Sequence, residues 1–349
     1  MEKKHLPPLS LTETSAFCSQ MGMILKAGIS SIEGVIIMLE DAKTPAEKEL
    51  LAQINDSLME TGSLYQALAD TGAFPDYMTS MTQIGEQTGK LDEVMQSLAD
   101  YYEKEASLSQ TIRSAVTYPC IMIIMMIAVI LLLITKVMPV FNQVFQQLGT
   151  EMTGISLVVL NLGVFLNQHW SIVLGVILVL ILLAVYFLKT RHGQAAFIKL
   201  TGRWSGNRML ANSIASYRFS NGMALTLSSG LTPEECLTLT SDLIPEGAFR
   251  NKLSACQEKV SLGEDLCDSL LACGIYSGIY TRMASIASRT GAMDEIMRKI
   301  AEQQEEEIDA RIAGILSAVE PTLVIILSVV VGLILLSVML PLINIMSAL

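Results

Sequence analysis

Apolar positions follow two different rhythms along the chain. In some stretches they recur every three to four residues, as in Phe17, Met21, Ile24 and Leu25, a spacing that predicts helices with one packed face. In others they are uninterrupted. Residues 116–135 carry no charge and 121–134 are continuously apolar; 170–188 is uncharged from Trp170 onward, and a third run covers 321–340. Each is long enough to cross a hydrocarbon core roughly 30 Å thick, and three such runs in one chain argue against the buried helix of a soluble protein. The apolar stretch 155–166 is short for a span, and predicts a segment in the outer interface or one that re-enters partway. No stretch shows the alternation of a convincing strand. The fold class expected is all-α: two repeated cytoplasmic helical-bundle modules plus three transmembrane helices.

Charge orients the spans. Lys104, Arg113, Lys189, Arg191, Lys199, Arg203 and Arg311 flank them on one side, whereas 140–169 and the tail after Pro341 contain no Lys or Arg. Because lysine and arginine near spans stay in the cytoplasm, both polar regions are expected there. The expected organisation is a first cytoplasmic module at 1–115, a transmembrane helix at 116–138, and an extracytoplasmic connector at 139–169. A second transmembrane helix at 170–188, a second cytoplasmic module at 189–318, a third transmembrane helix at 319–341 and an extracytoplasmic tail at 342–349 complete it. Residues 1–10 lack the apolar core of a signal peptide, so insertion falls to an internal span. The net charge of -11 is uneven: 8 Lys/Arg against 17 Asp/Glu in 1–115, but 14 against 15 in 189–318. Neither region has the basic, aromatic-studded stripe of a nucleic-acid binder, so no direct contact with nucleic acid is expected.

The two modules are copies. Sliding the chain by 202 residues superposes its halves, and ten of twenty-five positions are identical between 81–105 and 283–307, where composition alone gives about two. Met81/Met283, Ile84/Ile286, Thr88/Thr290, Gly89/Gly291, Asp92/Asp294 and Glu93/Glu295 are among the pairs. Phe17/Phe219, Gly28/Gly230, Leu68/Leu270, Pro119/Pro321 and Pro139/Pro341 extend the match through the following span. Gly28 and Gly230 are placed to close a first helix, and Ser30 or Thr232 to cap the next. Long charged helices are expected to start at Leu91 and Met293 and to run toward the membrane, where Pro119 and Pro321 predict a kink.

Candidate chemistry is sparse. The segment from Gly85 to Leu91 has glycines and a lysine, as a phosphate loop does, but only three residues separate Gly85 from Gly89, Leu91 stands where Ser or Thr is required, and the flanks are helical. It predicts instead a helix ended by Gly89, with Asp92 and Glu93 at the positive start of the next. Gly85, Glu86 and Gln87 of the first copy become Ala287, Ser288 and Arg289 in the second, an acidic corner turned basic. Glu86, Asp92 and Glu93 form either a divalent-cation site or a solvated, salt-bridged cluster. The acidic run Glu302, Glu305, Glu306, Glu307 and Asp309 is either a solvated helix face or a contact for a basic partner. The six cysteines have no metal-ligand spacing and read as reduced, buried thiols. His5, His169 and His192 are too scattered for a catalytic or metal constellation. Glu320, next to Pro321 and opposite Tyr118 in the repeat, reads equally as a coupling group at the membrane boundary or as a cap.

The stretch 84–93, followed by Tyr101, Tyr102 and Glu103 and by Thr117, Tyr118 and Pro119, resembles the F family of type II secretion and type IV pilus assembly platforms. The second copy repeats the pattern at 219–230, 290–295 and Val319, Glu320 and Pro321, so the resemblance spans nearly the whole chain. It departs in its short amino-terminal segment, closer to competence or Gram-positive pilus members, and in Ala287 and Ser288 where the family often has Gly and Glu. The resemblance implies a non-enzymatic, cofactor-free homo-oligomer in the bacterial cytoplasmic (inner) membrane. Such a platform couples a hexameric secretion or pilus-assembly ATPase to the extraction and polymerisation of pilin or pseudopilin subunits. The expected partner-contact residues are Gly85, Glu86, Thr88, Gly89, Asp92 and Glu93 with Arg289, Thr290, Gly291, Asp294 and Glu295; Tyr118, Pro119, Glu320 and Pro321 mark the membrane boundary. The alternative from another class, a small-solute transporter, is favoured by the repeat and disfavoured by one nearly apolar span per copy.

Overall fold

A computed structural model describes residues 6–147, 161, 165, 168 and 205–348. The expected second span at 170–188, most of 155–166, and the three histidines lie outside the described residues. Among the described residues the chain is helical, with no strand. In chain order the first copy supplies α1 (Leu11–Lys26), α2 (Ser31–Asp41), α3 (Pro45–Thr61), α4 (Leu64–Thr71), α5 (Asp76–Thr88) and α6 (Leu91–Leu132). A π-helical turn (Leu133–Val137) and α7 (Met138–Gln147) follow; α7 carries Pro139 as its second residue, and the extra residue of a π-turn is one way a helix accommodates a proline. The second copy supplies α8 (Ser205–Ser228), α9 (Pro233–Ser241), α10 (Ala248–Ser261), α11 (Leu266–Ala272), α12 (Ile279–Thr290) and α13 (Met293–Ala348). The repeat is therefore visible element by element: α4 and α11 begin at 64 and 266, α6 and α13 at 91 and 293, each pair 202 apart.

The ends of these helices explain their positions. Ser30 and Thr232 each accept a hydrogen bond from the backbone N–H three residues on, starting α2 and α9. Gly28 and Gly230 share a φ of 82°, Gly89 and Gly291 have φ of 71° and 72°, and this left-handed conformation is cheap only for glycine. Both the turn after the first helix and the corner before the long helix are thus fixed by equivalent residues.

The described residues fall into two units, one drawn from Met1–Gln110 with Arg208–Ile308, the other from Thr111–Asn207 with Asp309–Leu349. Both modules belong to the first unit. Each has its own core: Met21, Ile54, Leu58, Leu68, Met78 and Met95 in the first, Phe219, Met223, Leu253, Leu270, Met297 and Ile300 in the second. Full burial of one such side chain contributes about 1.5–3 kcal/mol. The modules also pack against each other, because Leu225 of α8 is buried in the first core, and Leu231, Leu239 and Leu243 pack on it.

The second unit has the opposite character. Its helical segments expose Ile121, Met125 and Leu132 on α6 and Ile325, Val329, Leu335 and Met339 on α13. Among the described residues two helices are long and apolar enough to cross a membrane, and these outward apolar faces suit lipid rather than a protein core. α6 and α13 continue through Pro119 and Pro321 without interruption. α13 also runs on to Ala348, past the expected end of its span.

Candidate functional site

The corner between α5 and α6 is built for close approach. A Cβ on Gly85 would lie 3.1 Å from Leu91 Cα and 3.2 Å from Val94 Cβ, so a side chain here would push α6 a few tenths of an ångström away from α5; the second copy forms the same corner over Ala287. Gly89 ends α5, and the N–H of Lys90 donates to Gly85 O at 3.0 Å to close the turn. Thr88 and Thr290 make equivalent bonds, each hydroxyl donating to the carbonyl one turn back, of Ile84 at 2.8 Å and Ile286 at 3.1 Å. In the second copy the Gly291 N–H donates to Ala287 O at 2.9 Å.

Glu86 is not a free surface carboxylate. It accepts from the Ser63 hydroxyl at 2.7 Å and from the Leu64 N–H, which places its charge at the amino end of α4. There it complements the helix dipole and satisfies a backbone donor left over at the helix start. The second copy solves the same problem differently: Asp265, in the place of Ser63, accepts from the N–H groups of Cys267 at 2.8 Å and Asp268 at 3.2 Å, and position 288, opposite Glu86, is serine. Glu93 lies 3.7 Å from Lys90 across one turn. Among the described residues no group of three His, Cys, Asp or Glu is placed to hold a metal; within the cluster, Glu86 caps α4 and Glu93 pairs with Lys90.

Asp92, Glu93, Asp294 and Glu295 line open grooves within the first unit. Asp92 and Glu93 line one of about 360 Å³ with Lys26 and Lys90. Asp294 and Glu295, in the first turn of α13, line another of about 880 Å³ together with Asp100, Glu103, Glu302 and Glu305, against Lys104 and Arg298. Six carboxylates against two cations make this groove acidic. Arg289 is exposed at the end of α12.

Sequence reasoning missed the polar link between the modules. Arg218 of α8 donates to Glu105 of α6 through Nε at 3.1 and 3.0 Å, and Nη2 lies 2.9 Å from the same carboxylate. Burial works against the guanidinium charge, but Glu105 outweighs it and holds the Arg218 pKa above its usual range. Beside the pair, Tyr77 donates to Gly222 O at 3.3 Å, and its ring lies 5.3 Å from that of Tyr101. Burial raises both phenol pKa values well above normal, so both stay protonated. The available signal was the repeat itself: Arg218 stands where the first copy has Ala16, and Tyr101 where the second has Gln303.

Comparison with known proteins places this architecture. The family model described as "Type II secretion system (T2SS), protein F" matches residues 17–139 and again 219–341. The chain belongs to the type II secretion system protein F family. It is 27% identical to the type IV pilus assembly protein PilC of Thermus thermophilus over 97% of this chain and 84% of that one. Likewise it is 27% identical to PilC of Pseudomonas aeruginosa over 94% and 88%. With the type II secretion system protein F of Pseudomonas aeruginosa it shares 25% over 96% and 83%.

Both protein F matches begin in the first helix of a module and end inside or just past the following apolar helix, so the family unit includes that helix. There Tyr118 and Glu320 are both exposed and Pro119 and Pro321 follow them inside unbroken helices. No helix ends at Glu320, which removes the capping reading of this residue and leaves an exposed carboxylate on a helix surface. Nearby, Thr117 donates to Arg113 O at 2.8 Å and Thr322 to Ala318 O, side-chain bonds of the kind that membrane helices use around prolines.

Proposed function

We propose that this chain is a non-enzymatic platform of the bacterial cytoplasmic membrane for assembling a type IV pilus, competence pseudopilus or type II secretion pseudopilus. The observation that carries it is the double match to the protein F family, each match a helical module with its following apolar helix. The PilC relatives are named for type IV pilus assembly, and the match covers nearly all of this chain. The chain crosses the membrane several times with both modules in the cytoplasm, oligomerises, and couples a hexameric ATPase to pilin extraction and polymerisation.

The partner contacts belong to the exposed corner residues Thr88, Gly89, Glu93, Arg289, Thr290, Gly291, Asp294 and Glu295, with the half-buried Asp92 beside them. Glu86 is withdrawn from that set because its carboxylate already holds the start of α4. The acidic groove lined by Asp294, Glu295 and Glu302 suits a basic segment of the ATPase. The test is the double variant Asp294→Lys/Glu295→Lys in the native host. It should lose filament assembly or secretion and co-purification of the ATPase, while its level in the membrane stays that of the unmodified chain. Normal filaments with normal ATPase capture would exclude the groove as that contact; normal filaments in a strain lacking the chain would exclude the platform role itself.

A further inference from the structure

The packing of the two modules is one-sided. The second copy presents Gly222, Leu225 and Leu239, from α8 and α9, to the first copy's Tyr77, Tyr101 and Glu105, from α5 and α6. Were the modules related by a twofold, the reciprocal contact would also form: Gln20, Met23 and Ile37 of the first copy against Ile279, Gln303 and Glu307 of the second. It does not. Leu225 is 7% exposed and its counterpart Met23 is 58% exposed; Tyr77 is 6% exposed and its counterpart Ile279 is 57%. Gln20, Ile37 and Gln303 are exposed as well.

An interface that joins two different faces leaves one of each unused, and contacts of this kind propagate from copy to copy. We propose that the exposed α1–α2 face of one chain docks on the exposed α12–α13 face of a second copy of this chain. The docking reproduces between molecules the contact that joins the two modules within one. The inference rests on the reading of the chain as an oligomeric platform and specifies how it assembles. Isolated exposed apolar residues are ordinary on any protein. These carry weight because they occupy the positions whose counterparts already form an interface, and because Ile286, exposed on the same side of α12 as Ile279, extends the apolar strip. The intermolecular contact is the weaker of the two. Ala16 replaces Arg218 and Gln303 replaces Tyr101, so neither the ion pair nor the tilted tyrosine pair recurs.

The counterpart of the Tyr77–Gly222 contact pairs residue 279 of one chain with residue 20 of the next. A tyrosine's reach separates such positions, whereas a disulfide needs Cα atoms within about 7 Å, so a flexible bismaleimide is the suitable probe. The experiment uses the full chain in native membranes, with the two less buried cysteines, Cys120 and Cys273, replaced by serine. Gln20→Cys/Ile279→Cys should give a ladder of dimers and larger species, and the two single variants mixed should give dimers only. Met23→Glu/Ile37→Glu added to the double variant should abolish the ladder while the chain remains in the membrane. Crosslinking of Gln20→Cys with itself would show a face-to-face contact and overturn the proposal. So would an oligomer seen by native mass spectrometry without any crosslink between 20 and 279. A monomer in the same measurement would overturn the proposal and the oligomeric part of the platform reading together, whereas filament assembly tests the platform role separately.

Discussion

The two modules have the same helices and different interiors. In the first, the tilted rings of Phe17 and Phe74 pack with centroids 4.9 Å apart, and the Cys18 thiol sits 3.8 Å from Met78 Sδ. In the second, the positions of Cys18, Phe74 and Tyr102 are Ser220, Tyr276 and Gln304. They form a buried polar chain: Ser220 Oγ lies 2.8 Å from the Tyr276 hydroxyl and donates to Gln304 Oε1 at 3.2 Å, while Gln304 Nε2 donates to Ser216 Oγ at 2.7 Å. One copy fills its centre with apolar volume and the other with a hydrogen-bonded network, which is tolerable only because its members find partners. The shared backbone therefore depends less on core chemistry than on the glycines and caps that repeat at the helix ends. Divergence has also sorted the surfaces. Tyr101 and Glu105 of the first copy are covered by the second module, whereas Gln303 and Glu307 are exposed.

That last contrast gives the largest effect. Glu105→Ala leaves Arg218 partly buried beside Tyr101 without its partner, and breaking such a pair costs about 3–5 kcal/mol. The lower end applies here, since the Arg218 side chain keeps 29% exposure and can turn to water. The equivalent substitution Glu307→Ala removes at most an exposed interaction and should cost no more than about 1 kcal/mol. Thermal unfolding of the detergent-solubilised chain compares them directly. Equal losses would mean that the ion pair contributes nothing beyond what a surface carboxylate does.

The features legible in the sequence were those written locally or repeated at a fixed offset. Gly28 and Gly230, Ser30 and Thr232, Gly89 and Gly291 act where short-range pattern places them, and the long helices begin at Leu91 and Met293 as their charge pattern indicates. Two of the three apolar runs announced the long helices α6 and α13 with their outward apolar faces for the same reason; the third, at 170–188, lies outside the described residues. Less legible were contacts between residues far apart in the chain. Glu86 looks like a surface acid until the fold brings Ser63 and Leu64 to it, and Arg218 meets Glu105 across 113 residues. Propensity and spacing contain no information about which helix end lies beside which carboxylate. At Pro119 and Pro321 a proline removes one backbone donor, yet the helices on either side of it remain continuous.

A smaller effect tests whether the two solutions at the start of the fourth helix are interchangeable. Glu86→Gln should destabilise the chain by about 1 kcal/mol, the typical value of a lost charged cap. In the variant Ser63→Asp/Glu86→Ser, which transplants the second copy's arrangement into the first, most of that loss should return. Failure of the transplant to recover stability would show that Glu86 also holds α5 against α4, a role that Asp265 does not have to fill in the second copy.

The smallest effect is a pH dependence to which each copy contributes one capping carboxylate, at positions that are not equivalent in the repeat. Glu13 reaches back to the hydroxyl and N–H of Ser10, at 2.6 and 2.8 Å, and Glu235 to those of Thr232, at 2.7 and 2.9 Å. The side-chain bond first, and the backbone bond second, lower the pKa of each carboxyl. In the unfolded chain the same groups titrate near an ordinary glutamate value of about 4.3. The unfolded state therefore binds protons first as the pH falls. The stabilisation is complete above that value and disappears as the pH drops through the lower folded pKa. Glu13→Gln/Glu235→Gln should flatten the acid limb of the melting curve below about pH 5, where carboxylate linkage acts, and leave its shape near neutrality unchanged. Because both carboxylates are exposed, the change should be small. An acid limb as steep as that of the unmodified chain would mean that the two caps stabilise by geometry alone, with no contribution from their charge.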